Sequence, residues 1–464
     1  MKNVLKKPLT ITLATLLLAS QPGMASIAAF AAEAPAGGTQ AIQGRSLAPV
    51  YVKTAAELKA AMINSSVKDI IFTADINWSG TINQKGSKSI YGNNHKINFN
   101  GGNIYGDWDS VNELYDMTVE NGGAWGGFFG GTDNTINSFH NVSFTGANTQ
   151  AAFNVPNGTL NLSGNIYVSS SAKDAIQAAR VNIDQSAIVT IYSSASALNI
   201  TPDTVGKLPS HLMINDKATV TLQGGIASNA INNTSKAMVF NWGSLYANGG
   251  SAAYASNGGK VFLDETSTSE FTSKSGVAFT GGLEIADNAN LSIKTGGGVA
   301  ADFSQSIGFT AAPKANFVIE ATNKAIIGDS GTPVSLQPTQ GISVWNISSD
   351  PKGAPTNAYA FSKAEFKIDN SGLVAGMVTD SPTFASTFNN AYIKKIAYGS
   401  YSVNVAEHNR QAAAENAVKD LFNNSDVTGT IKDTTNQEAI DNAQKAIDAV
   451  TDATKKSRIT KRPR

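Results

Sequence analysis

The chain of 464 residues contains no cysteine, which rules out disulfides, thiol catalysis and thiolate metal sites. It is also poor in charge: Asp, Glu, Lys and Arg together make 15% of it. Between residues 46 and 409 the only arginine is Arg180. The four histidines, His95, His140, His211 and His408, lie at no spacing that would hold a metal. The formal net charge is +0, but nine of the 35 basic residues crowd the two termini, leaving 26 against 35 acidic ones. A mildly acidic body is a poor partner for nucleic acid. After the first twenty residues no apolar run is long enough to cross a bilayer, so no transmembrane anchor is expected in the mature protein.

What fills the chain instead is small and polar: 42 glycines and many Ser, Thr, Asn and Ala. The N-terminus is an exception. Lys2, Lys6 and Lys7 precede an apolar stretch from Leu9 to Leu18, and Ala29-Phe30-Ala31 offers a small-residue cleavage site. Residues 1–32 therefore read as an export signal, with a long post-core region like those of Gram-positive bacteria, and residues 33–49 as a flexible leader. The mature protein is expected outside the cell, at the bacterial surface.

A refrain organises the middle. Residues 180–192 read RVNIDQSAIVTIY, residues 212–223 LMINDKATVTLQ and residues 283–294 LEIADNANLSIK. In each, an apolar-x-apolar pair is followed by a polar corner and by a second pair eight residues on: Val181/Val189, Leu212/Val220, Leu283/Leu291. A small residue stands in the bend every time, Ala187, Ala218 and Ala289. Alternation of period two marks strands with one buried face, so each unit is strand, corner, strand. Val239, Val261 and Leu283 open such segments 22 residues apart, and Leu291, Phe317, Ile342 and Phe366 do so at steps of 26, 25 and 24. A step in the twenties made only of strands and turns suits a solenoid. The expected fold is mainly β, a right-handed parallel β-helix over residues 50–403. The alternating Tyr392, Ile393, Ile396, Tyr398 and Tyr401 are expected to close it.

Both ends carry helices. VYVKTAAELKAAMINSS has Thr54 as N-cap and Glu57 three residues on, a capping box, with Leu58, Ala61 and Met62 on one face. This predicts a cap over the open end of the solenoid, where unpaired strand edges would otherwise aggregate. Helices are also expected over residues 406–422 and 435–455, the second capped by Thr434 or Thr435 and packing through Ile440, Ala443, Ile447 and Val450. They form a two-helix module over residues 404–456, followed by a basic tail, 457–464, which reads as the solvated end of a shortened reading frame or, alternatively, as a binder of anionic wall polymer or phospholipid.

The run from the first helix through KDIIFTADINWSGTI to SIYGNNHKINF resembles the pectate-lyase-like adhesive domain of Gram-positive surface proteins. It carries Ile70, Phe72, Asp75 and Ile76, then Ile90, Gly92, Ile97 and Phe99 at that family's positions. The resemblance spans roughly residues 50–400 and implies a secreted β-helix for adhesion or display, with no catalytic residues to carry over. Residues 417–450 resemble a small helical repeat named for its likeness to a domain of Cry toxins; the name implies no toxicity.

β-Helices also host polysaccharide lyases and glycoside hydrolases, so chemistry must be weighed. A calcium-dependent lyase needs clustered carboxylates and a basic residue beside them. Arg180 is the one arginine available; Asp174 lies close by, but Asp184 falls inside a strand-corner repeat, where Asp is an ordinary turn residue. The N-T-D, D-D, H-G and R-x-K motifs of a polygalacturonase are absent. Asp107, Trp108 and Asp109 could put two carboxylates beside a sugar-stacking ring, although the same residues describe a loop. Trp125, Phe128 and Phe129, set among glycines, read either as an exposed stacking platform or as a buried elbow. These six are the candidate ligand-binding residues. The function expected is a non-catalytic adhesion or display module, acting as a monomer without cofactor or metal and binding a host or cell-wall glycan or protein. The alternatives are a β-helix lyase or hydrolase working across neighbouring coils and a spacer that binds nothing.

Overall fold

The computed structural model describes residues 48–460 apart from 124, 132–133, 147–151, 172, 207, 305–307, 330, 340, 403–404, 426 and 428. The export signal, residues 33–47 of the leader and the last four residues of the basic tail lie outside the described residues. The chain winds into a β-solenoid of about 11 turns, each coil contributing short parallel strands to three flanks.

The refrain sets the register. On the first flank Val181, Leu212, Val239, Val261, Leu283, Phe309 and Val334 stand one above another. On the second, Val189, Val220, Leu245, Ser269, Leu291 and Phe317 do so. The third flank stacks Phe153, Ile176, Leu198, Ile231, Tyr254, Phe279, Ala301 and Ile326. These inward residues are buried in one continuous core. Between the first two flanks the chain turns through a left-handed residue, Ser186, Lys217 or Asn288, at φ of 61°, 60° and 63°. The alanine after it is fully buried in each corner and donates its N–H three residues back, for example Ala218 to Asn215 O at 3.1 Å. A larger side chain there would collide with the stacked corners.

The N-terminal end is closed by helix α1 (Ala55–Ile63). The capping box is complete: Glu57 N–H donates to Thr54 Oγ1 at 3.3 Å, and Thr54 N–H to Glu57 Oε2 at 3.1 Å. Leu58, Ala61 and Met62 face the core. The Lys88 ammonium, buried in line with Asn112 and Asn137 of the next two coils, donates to the carbonyls of Asn64, Val67 and Lys85. Burial pushes it down to about 8, helped by Lys68 and opposed by Asp107.

The other end departs from expectation. Ile342 and Phe366 do not continue the stack, because parallel winding stops at Leu336 and the chain reverses. Ala364–Ile368 runs antiparallel on Thr332–Leu336, bringing Phe366 against Val334. Ile393–Tyr398, expected as a closing strand, pairs antiparallel with both Asn316–Glu320 and Ile342–Asn346. Phe384 and Phe388, on and beside a short helix α2 (Pro382–Thr387), plug the end against Tyr359, Phe361 and Phe366. Reversal pairs the last backbone edges, as an exposed sheet edge requires.

Beyond it lie α3 (Val405–Lys419), α4 (Gln437–Asp448) and α5 (Ala453–Thr460), with Ala414, Ile447, Val450 and Ile459 as their core. The expected second helix breaks because Glu407 captures the N–H groups of Thr451 and Asp452 at 2.9–3.1 Å, which starts a new helix. The cap of α4 is Asn436, accepting from Ala439 N–H at 2.9 Å, and not Thr434 or Thr435; the Thr435 hydroxyl instead donates to Leu421 O. Ile440 is exposed, while Ala443, Ile447 and Val450 are buried.

Candidate functional site

The Asp107–Asp109 corner joins the third flank to the first in the second coil. Asp107 Oδ2 accepts the N–H of Gly86 in the coil before, at 2.7 Å, and its carbonyl accepts from Ser110. Asp109, held at φ 55°, accepts from Asn134 Nδ2 in the coil after, at 2.7 Å. The two carboxylates thus stitch the corner to opposite neighbours and do not converge on one face. Trp108 between them projects into solvent, 56% exposed.

The glycine-flanked aromatics divide. Trp125 is half-buried, and its backbone N–H donates to Asn103 Oδ1 at 3.2 Å. Phe128 and Phe129 are wholly buried, so they are core residues and no platform: Phe128 meets Phe99 edge-on at 5.0 Å and Phe129 at 5.3 Å. The glycines permit this packing. A Cβ on Gly130 would lie 1.9 Å from Trp125 O, and one on Gly131 would touch the Trp125 and Tyr105 rings.

Arg180, the candidate base of a lyase, is also occupied. Its Nε donates to Thr159 Oγ1 at 2.8 Å and its Nη2 to Asn157 O at 2.9 Å, while Nη1 pairs with Asp203, whose side chain is shielded from solvent. Burial alone would raise the Asp203 carboxyl, but hydrogen bonds from Arg180 and from the Gly206 N–H hold it below the usual range. Asp203 also takes the N–H groups of Val205 and Leu208, so the pair pins the excursion 201–210 to the flank. Beside it His211 lies within 2.9 Å of Asn182 Oδ1. Burial pushes His211 down to about 4, opposed by the Pro209 carbonyl and aided by Arg180. His95 meets Asp75 at 3.3 Å and His140 meets Ser163 Oγ at 3.0 Å; the His408 side chain lies outside the described residues. Among the described residues no three His, Asp or Glu gather as metal ligands.

The outward faces hold what sequence reading missed. Rings from successive coils stack there: Tyr91 on Tyr115 at 5.0 Å, Phe240 on Phe262 at 5.1 Å, and Tyr167 beside Tyr192 at 6.0 Å. Lys260 lies over Phe262 and pairs with Glu284 at 2.6 Å. Their separations along the chain vary with each corner, so only the register of the inward residues reveals them.

Fold and faces together define a non-globular class, the parallel β-solenoid with decorated flanks. Residues 49–152, the capping helix and first coils, match the family described as a pectate lyase-like adhesive domain, and this match favours adhesion over catalysis. Among solved structures, the one titled L. reuteri 53608 SRRP aligns at 15% identity over 62% of this chain and 98% of its own, with a TM-score of 0.41. No protein of curated function matches the sequence. Among the described residues no helix is long and apolar enough to cross a membrane.

Proposed function

We propose that this chain is a secreted, non-catalytic adhesion and display module of a Gram-positive cell surface, binding a host or cell-wall glycan or protein through a flank of its solenoid. One observation carries the reading: the groups a lyase would use are engaged in holding coils together, whereas aromatic rings are left on the outward faces. Arg180 is neutralised by Asp203, and Asp107 and Asp109 are directed to different coils. The match of the first coils to an adhesive domain supports it. We take the module to be a monomer, its first coil being covered by α1 and its last parallel strands paired by the reversal. The helices α3–α5 serve as a separate appended module.

The test is a binding array of glycans and host-matrix proteins probed with residues 33–464, run beside an assay for unsaturated or reducing ends from uronic-acid polysaccharides. Retention without product is expected. Release of product at a rate abolished by Asp107→Asn or Arg180→Gln would overturn the reading in favour of a lyase or hydrolase.

A further inference from the structure

The second flank carries an uncharged patch with tyrosines on it. It is made by Asn165–Ser170, Ile188–Ser193, Thr219–Gln223 and Ser244–Gly249, four successive coils in unbroken parallel register. Burial alternates along each strand, so three side chains per coil face outward. All of these are tyrosine, hydroxyl or amide residues except Ile188, and none is charged. On the same flank charge returns on either side: the Lys96–Glu120 pair in earlier coils, Glu270 and Lys294 in later ones. Cations stand only at the corners: Lys217, 4.0 Å from Asp216, on one side, and Lys173 and Lys274, whose backbones bond Ser193 and Gly249, on the other.

The rings on this patch are accessible. Tyr167 and Tyr192 are 40% and 42% exposed with centroids 6.0 Å apart, and Ile188, on the same strand as Tyr192, is 55% exposed. Tyr246 stands in the column of Tyr167, with Thr190 and Thr221 between them. Three rungs at roughly 4.8 Å put it about 14 Å along the axis. Two aromatic stations separated by a row of hydroxyls are farther apart than one sugar ring reaches, so they suit a chain of sugars.

We infer that this uncharged flank binds a neutral polysaccharide; the inference rests on the adhesion reading and assigns its face and ligand chemistry. Tyrosine presents an apolar ring to the C–H face of a sugar and a polar tip to its hydroxyls. Threonine hydroxyls and the Gln223 and Asn248 amides supply both donors and acceptors, matching a ligand that carries both. The rungs are held in a sheet, so little ordering is lost on binding. Tyrosine set among small hydroxyl and amide residues is also the composition of antibody binding loops. An anionic polymer would require cations that these strands lack. A protein partner would favour a more apolar centre with Arg, Trp or Met anchors, which are absent from the outward positions of these strands.

The experiment uses residues 33–464 in affinity electrophoresis against a neutral glucan, mannan and galactan and against a uronic-acid polysaccharide. Retardation by at least one neutral polymer is expected, changing less than twofold between low salt and about 1 M, where exposed charges are screened within a few ångströms. The pair Tyr167→Ala and Tyr192→Ala should weaken it at least tenfold without moving the melting temperature, and Tyr167→Phe with Tyr192→Phe should weaken it less than threefold. Binding only to the uronic-acid polymer and lost in salt, or neutral binding undiminished in the alanine pair, overturns the inference. Binding to host-matrix protein or whole cells alone overturns it too while leaving adhesion standing; no binding to anything removes both.

Discussion

Mild acid should unsettle the solenoid through one side chain. His211 has an ordinary value of 6.5 and is pushed down to about 4 by burial against the flank. Between these values the unfolded chain binds a proton that the folded chain refuses, so stability falls as pH falls. Linkage over that window gives a loss of about 2 kcal/mol from pH 7 to pH 5, growing to about 3 kcal/mol by pH 4. The carboxyls of Asp184 and Asp264, which burial raises, act in the opposite direction. The informative quantity is therefore the difference between wild type and His211→Gln, which keeps a donor for Asn182 but cannot titrate. Urea midpoints at half-unit pH intervals measure it. The variant should be flatter than wild type between pH 6.5 and 4 by the amounts above. If both proteins lose stability in parallel, His211 is not held neutral, and the burial of that ring under the 201–210 excursion is wrong.

Three further outcomes follow from the packing. Asp203→Asn leaves the Arg180 guanidinium buried without its counter-charge; a loss of about 3–5 kcal/mol is expected, with proteolysis beginning in 201–210, and an unchanged melting temperature would contradict the ion pair's role. Gly130→Ala drives a methyl into Trp125 O, so the elbow should open at a cost above about 2 kcal/mol, with Phe128 and Phe129 becoming reachable by a hydrophobic dye; no rise in dye binding would count against the buried elbow. Glu407→Gln weakens the hold on Thr451 and Asp452, and faster amide exchange over 451–460 should report it. The Glu407 carboxyl is held far below its ordinary 4.5, chiefly by the Thr451 hydroxyl and the Asp452 N–H, so its contribution is present above pH 4.5 and fades only as pH falls below that. Wild-type α5 should stay docked at pH 5, and rapid exchange there would refute the clamp.

The parts of the fold legible in the sequence were those written by inward side chains. Val181/Val189 and Leu212/Val220 announce both the strands and their stacking, because a buried face must alternate and each coil repeats the demand. The capping box at Thr54 and Glu57 was equally plain, being purely local. The reversal after Leu336 was hidden, since an antiparallel strand alternates just as a parallel one does, and the beat at Ile342 and Phe366 imitated two more coils. Phe128 and Phe129 left two readings open for another reason: glycines that permit a tightly packed elbow look, in sequence, like glycines of an exposed hinge. The outward Tyr167 and Tyr192 came into view only with the register, because rings that touch in space are 25 residues apart here and 22 for Phe240 and Phe262.

The path from one rung to the next is not constant. Leu162 reaches its partner Ile183 in 21 residues, but Ile183 reaches Ile214 in 31, the extra length being the excursion that Arg180 and Asp203 tack down. The ladder beneath it runs on undisturbed. That corner carries extra length while its neighbours keep their register, which makes it the natural graft point for an epitope or tag, and shows how such a scaffold can change its outward message while its frame stays the same.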